Sequence, residues 1–201
     1  MTDVALFHSA LGVRPGVLDA AERLRADGHT VLVVDQYDGR VFDDQTEAGR
    51  FVDEVGFPEL MRRAVAAAEP LADGFVAAGF SNGAGMAEHV ATTRRCSGVL
   101  LVSGALPLAV LGGPAWPRGT AVQMHNALGD PLRHQDWLDA FVGEVRAAGA
   151  PTETYEYPAT GHLFTDPSLP GEYDAQASEQ LWERALRFVR TAPDGAAATG
   201  T

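Results

Sequence analysis

A five-residue motif, Gly79-Phe80-Ser81-Asn82-Gly83, lies between an apolar run of strand length and a run with helical spacing. A strand, this Gly-x-Ser-x-Gly pattern and a helix together predict a nucleophile elbow, a turn so sharp that its serine adopts strained backbone geometry. Side chains on either side would crowd such a turn, which explains glycine two residues before and two residues after the serine. The serine hydroxyl then stands above a sheet, at the positively polarised end of the following helix. The motif therefore predicts a nucleophilic Ser81 in an α/β structure.

Short apolar runs of strand length alternate with stretches of helical spacing along the whole chain. Six strands that alternate with helices predict an α/β fold with a mostly parallel sheet of about six or more strands and helices on both faces. Right-handed crossovers place the loops that follow the strands at one edge of this sheet, where ligands bind. The predicted strands cover residues 3–8, 30–34, 75–78, 98–102, 120–125 and 152–157. The predicted helices cover residues 15–27, 46–70 with a break near Gly56 and Pro58, 82–92, 132–148 and 173–190; Thr46 is the expected N-cap of the second, and residues 103–118 form a long loop.

The length of 201 residues suits one domain with a sizeable hydrophobic core. We predict that this single domain covers residues 1–191. The remaining residues, 192–201, are small and polar. Such residues bury too little apolar surface to offset the entropy of ordering them, so we expect a disordered C-terminal tail.

The formal net charge of −12 limits the partners of this protein. It opposes binding to the phosphates of nucleic acid, and it provides no attraction to anionic lipid surfaces. The single cysteine, Cys96, excludes an internal disulfide and fits a reducing compartment. The first residues do not have the basic and then apolar character of a secretory signal. We therefore expect a cytoplasmic protein that binds a small molecule and neither nucleic acid nor membrane.

A serine hydroxyl is a weak nucleophile at neutral pH, so Ser81 needs a general base and the base needs an orienting acid. In enzymes with this elbow the chain order is serine, then aspartate or glutamate, then histidine, each just past the end of a strand. Two histidines, His134 and His162, lie far enough along the chain. His134 falls in the first turn of a predicted helix, whereas His162 lies in the loop directly after the last predicted strand. The position in the loop favours His162 as the base.

The acid of the triad is expected after the fifth predicted strand, where the chain carries Asp130. Asp136 and Asp139 are alternatives, but both fall on the following helix, a position typical of surface or capping acids. The oxyanion of the tetrahedral intermediate needs two backbone N–H donors. One is expected from Asn82, directly after the nucleophile, and the other from Ala10 in the loop after the first strand.

The chain lacks the patterns of the common cofactor sites. No Gly-x-Gly-x-x-Gly motif follows the first strand, and the elbow does not continue into Gly-Lys-Ser or Gly-Lys-Thr. His8 and His125 both end predicted strands and could in principle share a zinc ion, but no third ligand follows at a typical spacing. We therefore expect neither a cofactor nor a metal.

Five segments together resemble the dienelactone hydrolase family of α/β-hydrolases. They are HSALGV at 8–13, VVDQY at 33–37, GFSNG at 79–83, HNALGDP at 125–131 and YPATGHLF at 157–164. The resemblance covers residues from about 3 to 190 and implies the α/β-hydrolase fold. Two positions depart from the family pattern, because the dienelactone enzymes have a cysteine where this chain has Ser81 and a glutamate where it has Ser9. The two changes are consistent with each other, because a serine paired with a histidine does not need a glutamate to activate a thiol. Together they imply an ester or lactone substrate other than dienelactone.

Several residues near the predicted strand ends are candidates for the substrate pocket. We expect Ser9, Tyr37, Trp116 and His125 to line it. Two other tryptophans, Trp137 and Trp182, fall on predicted helices and are expected in the core.

These observations predict a serine hydrolase that cleaves a small carboxylic ester or lactone through an acyl-enzyme. The alternatives are a non-catalytic binding protein with the same fold, since fold alone does not fix function, and an acyltransferase that uses the same triad.

Overall fold

The computed structural model of the protein describes residues 1–113 and 115–192. Its centre is a six-stranded, all-parallel sheet with the strand order β2-β1-β3-β4-β5-β6. The predicted α/β class is therefore confirmed. The tail predicted from residue 192 lies, from residue 193 onward, outside the described residues. The strands are β1 (Asp3–Phe7), β2 (Thr30–Val34), β3 (Phe75–Phe80), β4 (Cys96–Val102), β5 (Ala121–Ala127) and β6 (Thr152–Tyr157).

Helices cover both faces of this sheet. They are α1 (Pro15–Ala26), α2 (Gln45–Val55), α3 (Phe57–Ala68), α4 (Asn82–Thr93), α5 (Leu108–Leu111), α6 (Gln135–Ala147) and α7 (Ala175–Thr191). The apolar sides of α1 and α7 pack on one face, whereas those of α3, α4 and α6 pack on the other. Among the helices of the described residues, none combines the length and the apolar character that crossing a bilayer would require.

The side chains of β1 show how the sheet supplies both cores. Val4 and Leu6 contribute to the core under α1 and α7, whereas Ala5 and Phe7 contribute to the core under α3, α4 and α6. Successive side chains of a strand point to opposite faces, so a strand covered on both sides is apolar throughout. The continuous apolar runs in the sequence therefore mark the central strands.

The helix start predicted at Thr46 is wrong by two residues. The N-cap of α2 is Asp44, whose side chain accepts a 2.9 Å hydrogen bond from the Glu47 N–H. The predicted break near Gly56 is confirmed, since α2 ends at Val55 and Gly56 adopts a φ of +84° before α3 begins. A further short helix, α5, lies within the segment predicted as a loop.

Candidate active site

The turn at Ser81 joins β3 to α4, and its backbone is strained and closely packed. Ser81 has φ +52° and ψ −115°, a backbone conformation that residues other than glycine rarely adopt. A Cβ atom at Gly79 would lie 2.0 Å from the carbonyl oxygen of Gly83. A Cβ atom at Gly83 would lie 2.4 Å from the carbonyl oxygens of Phe7 and His8, at the end of β1. Both glycines are therefore required by close backbone contacts, and these contacts hold the serine at the carboxyl edge of the sheet.

Three side chains from three loops meet in one hydrogen-bonded line. The Oγ of Ser81 lies 2.6 Å from Nε2 of His162. On the other side of the ring, Nδ1 of His162 lies 2.7 Å from Oδ2 of Asp130. A carboxylate only accepts hydrogen bonds, so it selects the tautomer in which Nδ1 carries the proton and Nε2 can accept from the serine hydroxyl. His162 and Asp130 are both buried, whereas Ser81 is partly exposed.

The loop after β5 orients Asp130 through its second carboxylate oxygen. Oδ1 of Asp130 accepts a 2.8 Å hydrogen bond from the Leu132 N–H, which leaves Oδ2 for His162. The N–H of Gly129 donates to the Ala159 carbonyl at 2.9 Å and joins this loop to the loop after β6. These bonds fix the acid relative to the histidine.

The loop after β6 holds His162 against the segment before α7. A Cβ atom at Gly161 would lie 2.1 Å from the carbonyl oxygen of Glu172, so the two stretches of backbone touch. On the other side of His162, the N–H of Leu163 donates to Oε2 of Glu172 at 2.6 Å. His162 is therefore anchored through both of its neighbours in the chain.

Ser103, which sequence reasoning missed, supports the same histidine from β4. Its Oγ donates a 2.5 Å hydrogen bond to the carbonyl oxygen of His162, and its N–H donates to the His125 carbonyl at 2.9 Å. Its φ of +61° lies in the left-handed region. A polar residue directly after a predicted central strand was the available signal, because all such positions reach the same edge.

The two N–H groups predicted to bind the oxyanion belong to Asn82 in the elbow and to Ala10 in the loop after β1. Asn82 opens α4, where the first N–H groups have no helical acceptor. Ala10 lies in the turn that follows β1, and its N–H donates to no acceptor among the described residues. The contact of Gly83 with Phe7 and His8 brings the start of this loop against the elbow. Asn82 lines the cavity described below, whereas Ala10 does not, so a role for Ala10 in binding the oxyanion stays a prediction.

A cavity of about 310 Å³ opens over Ser81 and His162. Asn82, Ser103 and Arg133 line its polar side. Trp137, predicted as a core residue, instead lies in the wall and is 40% exposed. The apolar wall consists of Phe57, Ala105, Leu106, Leu132, Trp137 and Leu138.

His125, predicted to line the pocket, does not lie in the cavity wall. It is fully buried, with Nε2 donating to Oε1 of Gln123 at 2.9 Å and Nδ1 accepting from the Tyr157 hydroxyl at 2.8 Å. Burial and the nearby Arg184 guanidinium lower the pKa of His125 to about 3. This histidine is a neutral core residue of β5.

Trp116 and Ser9 also lie away from the cavity. The Trp116 indole is buried, donates to the Thr120 carbonyl at 2.9 Å and packs edge-on against Phe141. Ser9 is buried, and its Oγ accepts from the Leu11 N–H at 3.2 Å. Both side chains therefore stabilise loops, and neither of these two predicted pocket residues lines the cavity over Ser81.

Tyr37 reaches the site only through Asn82. Its ring is buried against His8, and its hydroxyl accepts a 3.3 Å hydrogen bond from Nδ2 of Asn82. Burial raises the pKa of Tyr37 to about 12, so the phenol stays neutral. Tyr37 supports Asn82, the residue after Ser81, and does not line the cavity.

The alternative base and acids have other contacts. His134 precedes α6 and stacks on Trp137, with ring centroids 4.5 Å apart. Asp136 and Asp139 lie on α6, where Asp139 accepts from the Gln135 amide at 2.8 Å. The described contacts thus favour Asp130 and His162 over these three residues.

The histidine pair weighed as a zinc site uses its ring nitrogens within the protein. Nδ1 of His8 donates to the Ser9 carbonyl at 2.7 Å, and Nε2 accepts from the Gln36 N–H at 3.1 Å. Burial lowers the pKa of His8. Across residues 1–113 and 115–192, no three His, Cys, Asp or Glu side chains form a group that could hold a metal ion.

Comparison with known proteins places this chain in a family. The sequence profile of the dienelactone hydrolase family matches residues 2–192. The chain belongs to the dienelactone hydrolase family. The resemblance inferred from five motifs is therefore confirmed, and so is the class of enzyme, a hydrolase of ester bonds. No curated protein sequence matches this family member significantly.

Solved structures confirm the α/β-hydrolase fold of this dienelactone hydrolase family member. A dienelactone hydrolase-like promiscuous phosphotriesterase from metagenomic libraries is 24% identical, with a TM-score of 0.77 over 96% of this chain and 87% of that chain. The dienelactone hydrolase of Anabaena variabilis is 18% identical, with a TM-score of 0.68 over 96% and 88%. The carboxylesterase of Bacillus cereus is also 18% identical, with a TM-score of 0.58 over 92% and 88%.

Proposed function

We propose that this protein is a serine hydrolase that cleaves a small carboxylic ester or lactone through an acyl-enzyme. The observation that carries the proposal is the line from Ser81 through His162 to Asp130, with contacts of 2.6 and 2.7 Å at the floor of an open cavity. A nucleophile, a base and an orienting acid in this order are what acyl transfer to serine requires.

The first half of the proposed reaction forms the acyl-enzyme. Nε2 of His162 takes the Ser81 proton while the serine oxygen attacks the carbonyl carbon, and Asp130 stabilises the imidazolium that results. The N–H groups of Asn82 and Ala10 bind the oxyanion. His162 then gives its proton to the leaving alcohol oxygen as the bond from carbon to that oxygen breaks.

The second half releases the acid. A water molecule occupies the place of the departed alcohol and loses a proton to Nε2 of His162 as it attacks the acyl carbon. The tetrahedral intermediate collapses, the Ser81 oxygen leaves, and it recovers the proton from His162. One histidine thus acts as base and then as acid in each half.

The contacts around Ser9 support a hydroxyl nucleophile. The cysteine enzymes of the family have a glutamate at this position. Here the Ser9 hydroxyl is buried and accepts from the Leu11 N–H, so it stabilises the loop after β1. Because the Ser81 proton passes directly to His162, the mechanism requires no additional carboxylate.

The names of two similar proteins are consistent with ester chemistry, since one is a carboxylesterase and the other a promiscuous phosphotriesterase. We further propose a small-molecule substrate rather than nucleic acid or membrane, on the basis of the net charge of −12, and a cytoplasmic location, on the basis of the single cysteine.

The test combines covalent labelling with ester turnover. A fluorophosphonate probe should label Ser81, and 4-nitrophenyl acetate should be hydrolysed. Ser81→Ala should lose both properties. Ser168→Ala is the matched control, because Ser168 bonds to Asp166 outside the cavity wall, and this variant should keep both.

Two results of these experiments would contradict the proposed hydrolase. A folded wild-type protein that takes no label on Ser81 would support the non-catalytic binding alternative. A labelled protein that forms mainly a new ester or thioester when an alcohol or thiol competes with water would support the acyltransferase alternative.

A further inference from the structure

The cavity above Ser81 combines an apolar wall with one guanidinium that is already paired. We infer that the site selects an ester whose acyl group is apolar and uncharged, and that the ion pair between Arg133 and Glu156 maintains this selectivity by keeping the guanidinium from an anionic substrate. This inference rests on the proposed hydrolase function.

Most of the surface that lines this cavity of about 310 Å³ is apolar. Leu106, Leu132 and Trp137 supply flat or branched hydrocarbon surface. Leu132 and Trp137 are 48% and 40% exposed, so each still has apolar surface to remove from water. An apolar acyl group would gain by covering these side chains, whereas a charged one would lose its hydration there.

Among the described residues that line the cavity, Arg133 is the one arginine. Each of its three guanidinium nitrogens donates a hydrogen bond within the protein. Nη2 donates to Oε1 of Glu156, Nε donates to Oε1 of Gln135 at 2.9 Å, and Nη1 donates to the Ala127 carbonyl at 3.3 Å. Its side chain is only 13% exposed. A substrate carboxylate would therefore have to compete with Glu156, whose charge already offsets that of this guanidinium.

The charge around the cavity acts in the same direction. Asp130 lies in the wall, and Glu156 offsets the positive charge of Arg133. The whole protein has a formal net charge of −12. An anionic acyl group therefore meets repulsion on approach and no free cation on arrival.

The experiment compares two esters of equal chain length, 4-nitrophenyl pentanoate and the 4-nitrophenyl monoester of glutaric acid. They differ in the terminal carboxylate. For the wild-type protein, kcat/KM should be at least about tenfold higher for the pentanoate, the factor expected from a charged group that loses hydration without gaining a partner.

Glu156→Gln tests the ion pair. It frees the guanidinium from its carboxylate partner, so the ratio of kcat/KM for the glutarate monoester to that for the pentanoate should rise by about tenfold. The gain should shrink at high salt, because the new contact is ionic. In the double variant Arg133→Gln/Glu156→Gln the gain should disappear.

Glu153→Gln is the matched control. It removes the same charge from the same strand, but Glu153 contacts Gln123 and Tyr155 rather than Arg133. Its substrate ratio should equal that of the wild type. An equal rise in both variants would show that net charge alone sets the preference and would overturn the role of the ion pair.

The outcomes separate this inference from the proposed function. A wild-type protein that cleaves neither ester and takes no fluorophosphonate label would overturn the hydrolase proposal itself. A labelled, active protein that cleaves the glutarate monoester as well as the pentanoate would leave the hydrolase intact and overturn the inferred selectivity.

Discussion

The Oγ of Ser103 donates a 2.5 Å hydrogen bond to the carbonyl oxygen of His162. This bond joins the end of β4 to the loop that carries the proposed base, across 59 positions of sequence. Ser103 is buried, with a left-handed φ of +61°. The backbone conformation at this position alone would favour glycine. The hydrogen bond to His162 explains why a serine stands there instead.

Replacing Ser103 should separate the two effects. Ser103→Ala and Ser103→Gly both lose the bond to His162, so each should lower kcat by about 10- to 100-fold through a small displacement of the base. Ser103→Gly relieves the left-handed strain, so its free energy of unfolding should exceed that of Ser103→Ala by about 1 kcal/mol. Steady-state kinetics and urea denaturation measure the two quantities. Wild-type kcat in both variants would contradict the positioning role.

Asp130→Asn should cost more activity than replacement of the aspartate Asp139 on α6. An amide at this position donates to Nδ1 of His162 and so favours the tautomer with the proton on Nε2, which cannot accept from Ser81. We expect a loss of about 10⁴-fold in kcat, with the fold intact. Asp139→Asn, which removes one of the two alternative acids, should stay within twofold of the wild type. Reversed results for these two variants would assign the acid to Asp139.

Two glycine-to-alanine changes should have opposite effects on stability. Gly83→Ala puts a Cβ atom 2.4 Å from the backbone oxygens of Phe7 and His8, so it should destabilise the fold by more than about 3 kcal/mol or prevent folding. Gly143 lies on α6, where an added Cβ atom would meet nothing within 4 Å. Gly143→Ala should therefore stabilise the protein by about 0.4–1 kcal/mol. Thermal unfolding of both variants checks the pair, and a stable, active Gly83→Ala protein would refute the packing argument for the elbow.

The fold and the meeting of Ser81, Asp130 and His162 could be predicted because each depends on the order of residues along the chain. Apolar runs of strand length alternate with helical spacing, which limits the topology to a parallel sheet. Ser81, Asp130 and His162 each follow a strand, and in a parallel sheet such positions share one edge. Sequence position alone therefore brings these three residues to the same place.

The wall of the cavity could not be predicted in the same way. His125 also lies near a strand end, but its ring turns into the core toward Tyr157, and sequence position does not show that direction. Trp137 looked like a core residue because it lies on an amphipathic helix, yet it occupies the first turn and faces the cavity. The short helix α5 could not be predicted either, because its four residues are too few to show the periodic spacing of apolar residues in a helix.

Glu88 of α4 is fully buried, and both of its carboxyl oxygens lie 3.1 Å from the N–H of Leu106, in the cavity wall. Burial, with a smaller contribution from the nearby Glu144 carboxylate, raises the pKa of Glu88 well above its usual range. The folded protein therefore keeps a proton that the unfolded chain releases above a pH of about 4.5. It follows that this group lowers the free energy of unfolding as pH rises from there toward its folded pKa, by up to about 1.4 kcal/mol per pH unit.

Glu88→Gln should remove that pH dependence. Glutamine has no proton to lose, and its Oε1 can still accept from the Leu106 N–H, so the wall keeps its anchor. The free energy of unfolding of the variant, minus that of the wild type, should increase with pH above about 4.5 and level off once the pH exceeds the folded pKa of Glu88, as measured by urea denaturation at pH 5, 6, 7 and 8. Glu69→Gln, at an exposed position, should show a constant difference across the same range. A difference for Glu88→Gln that does not change with pH would mean that Glu88 is ionised in the folded protein, and the wall would then be held by a buried carboxylate.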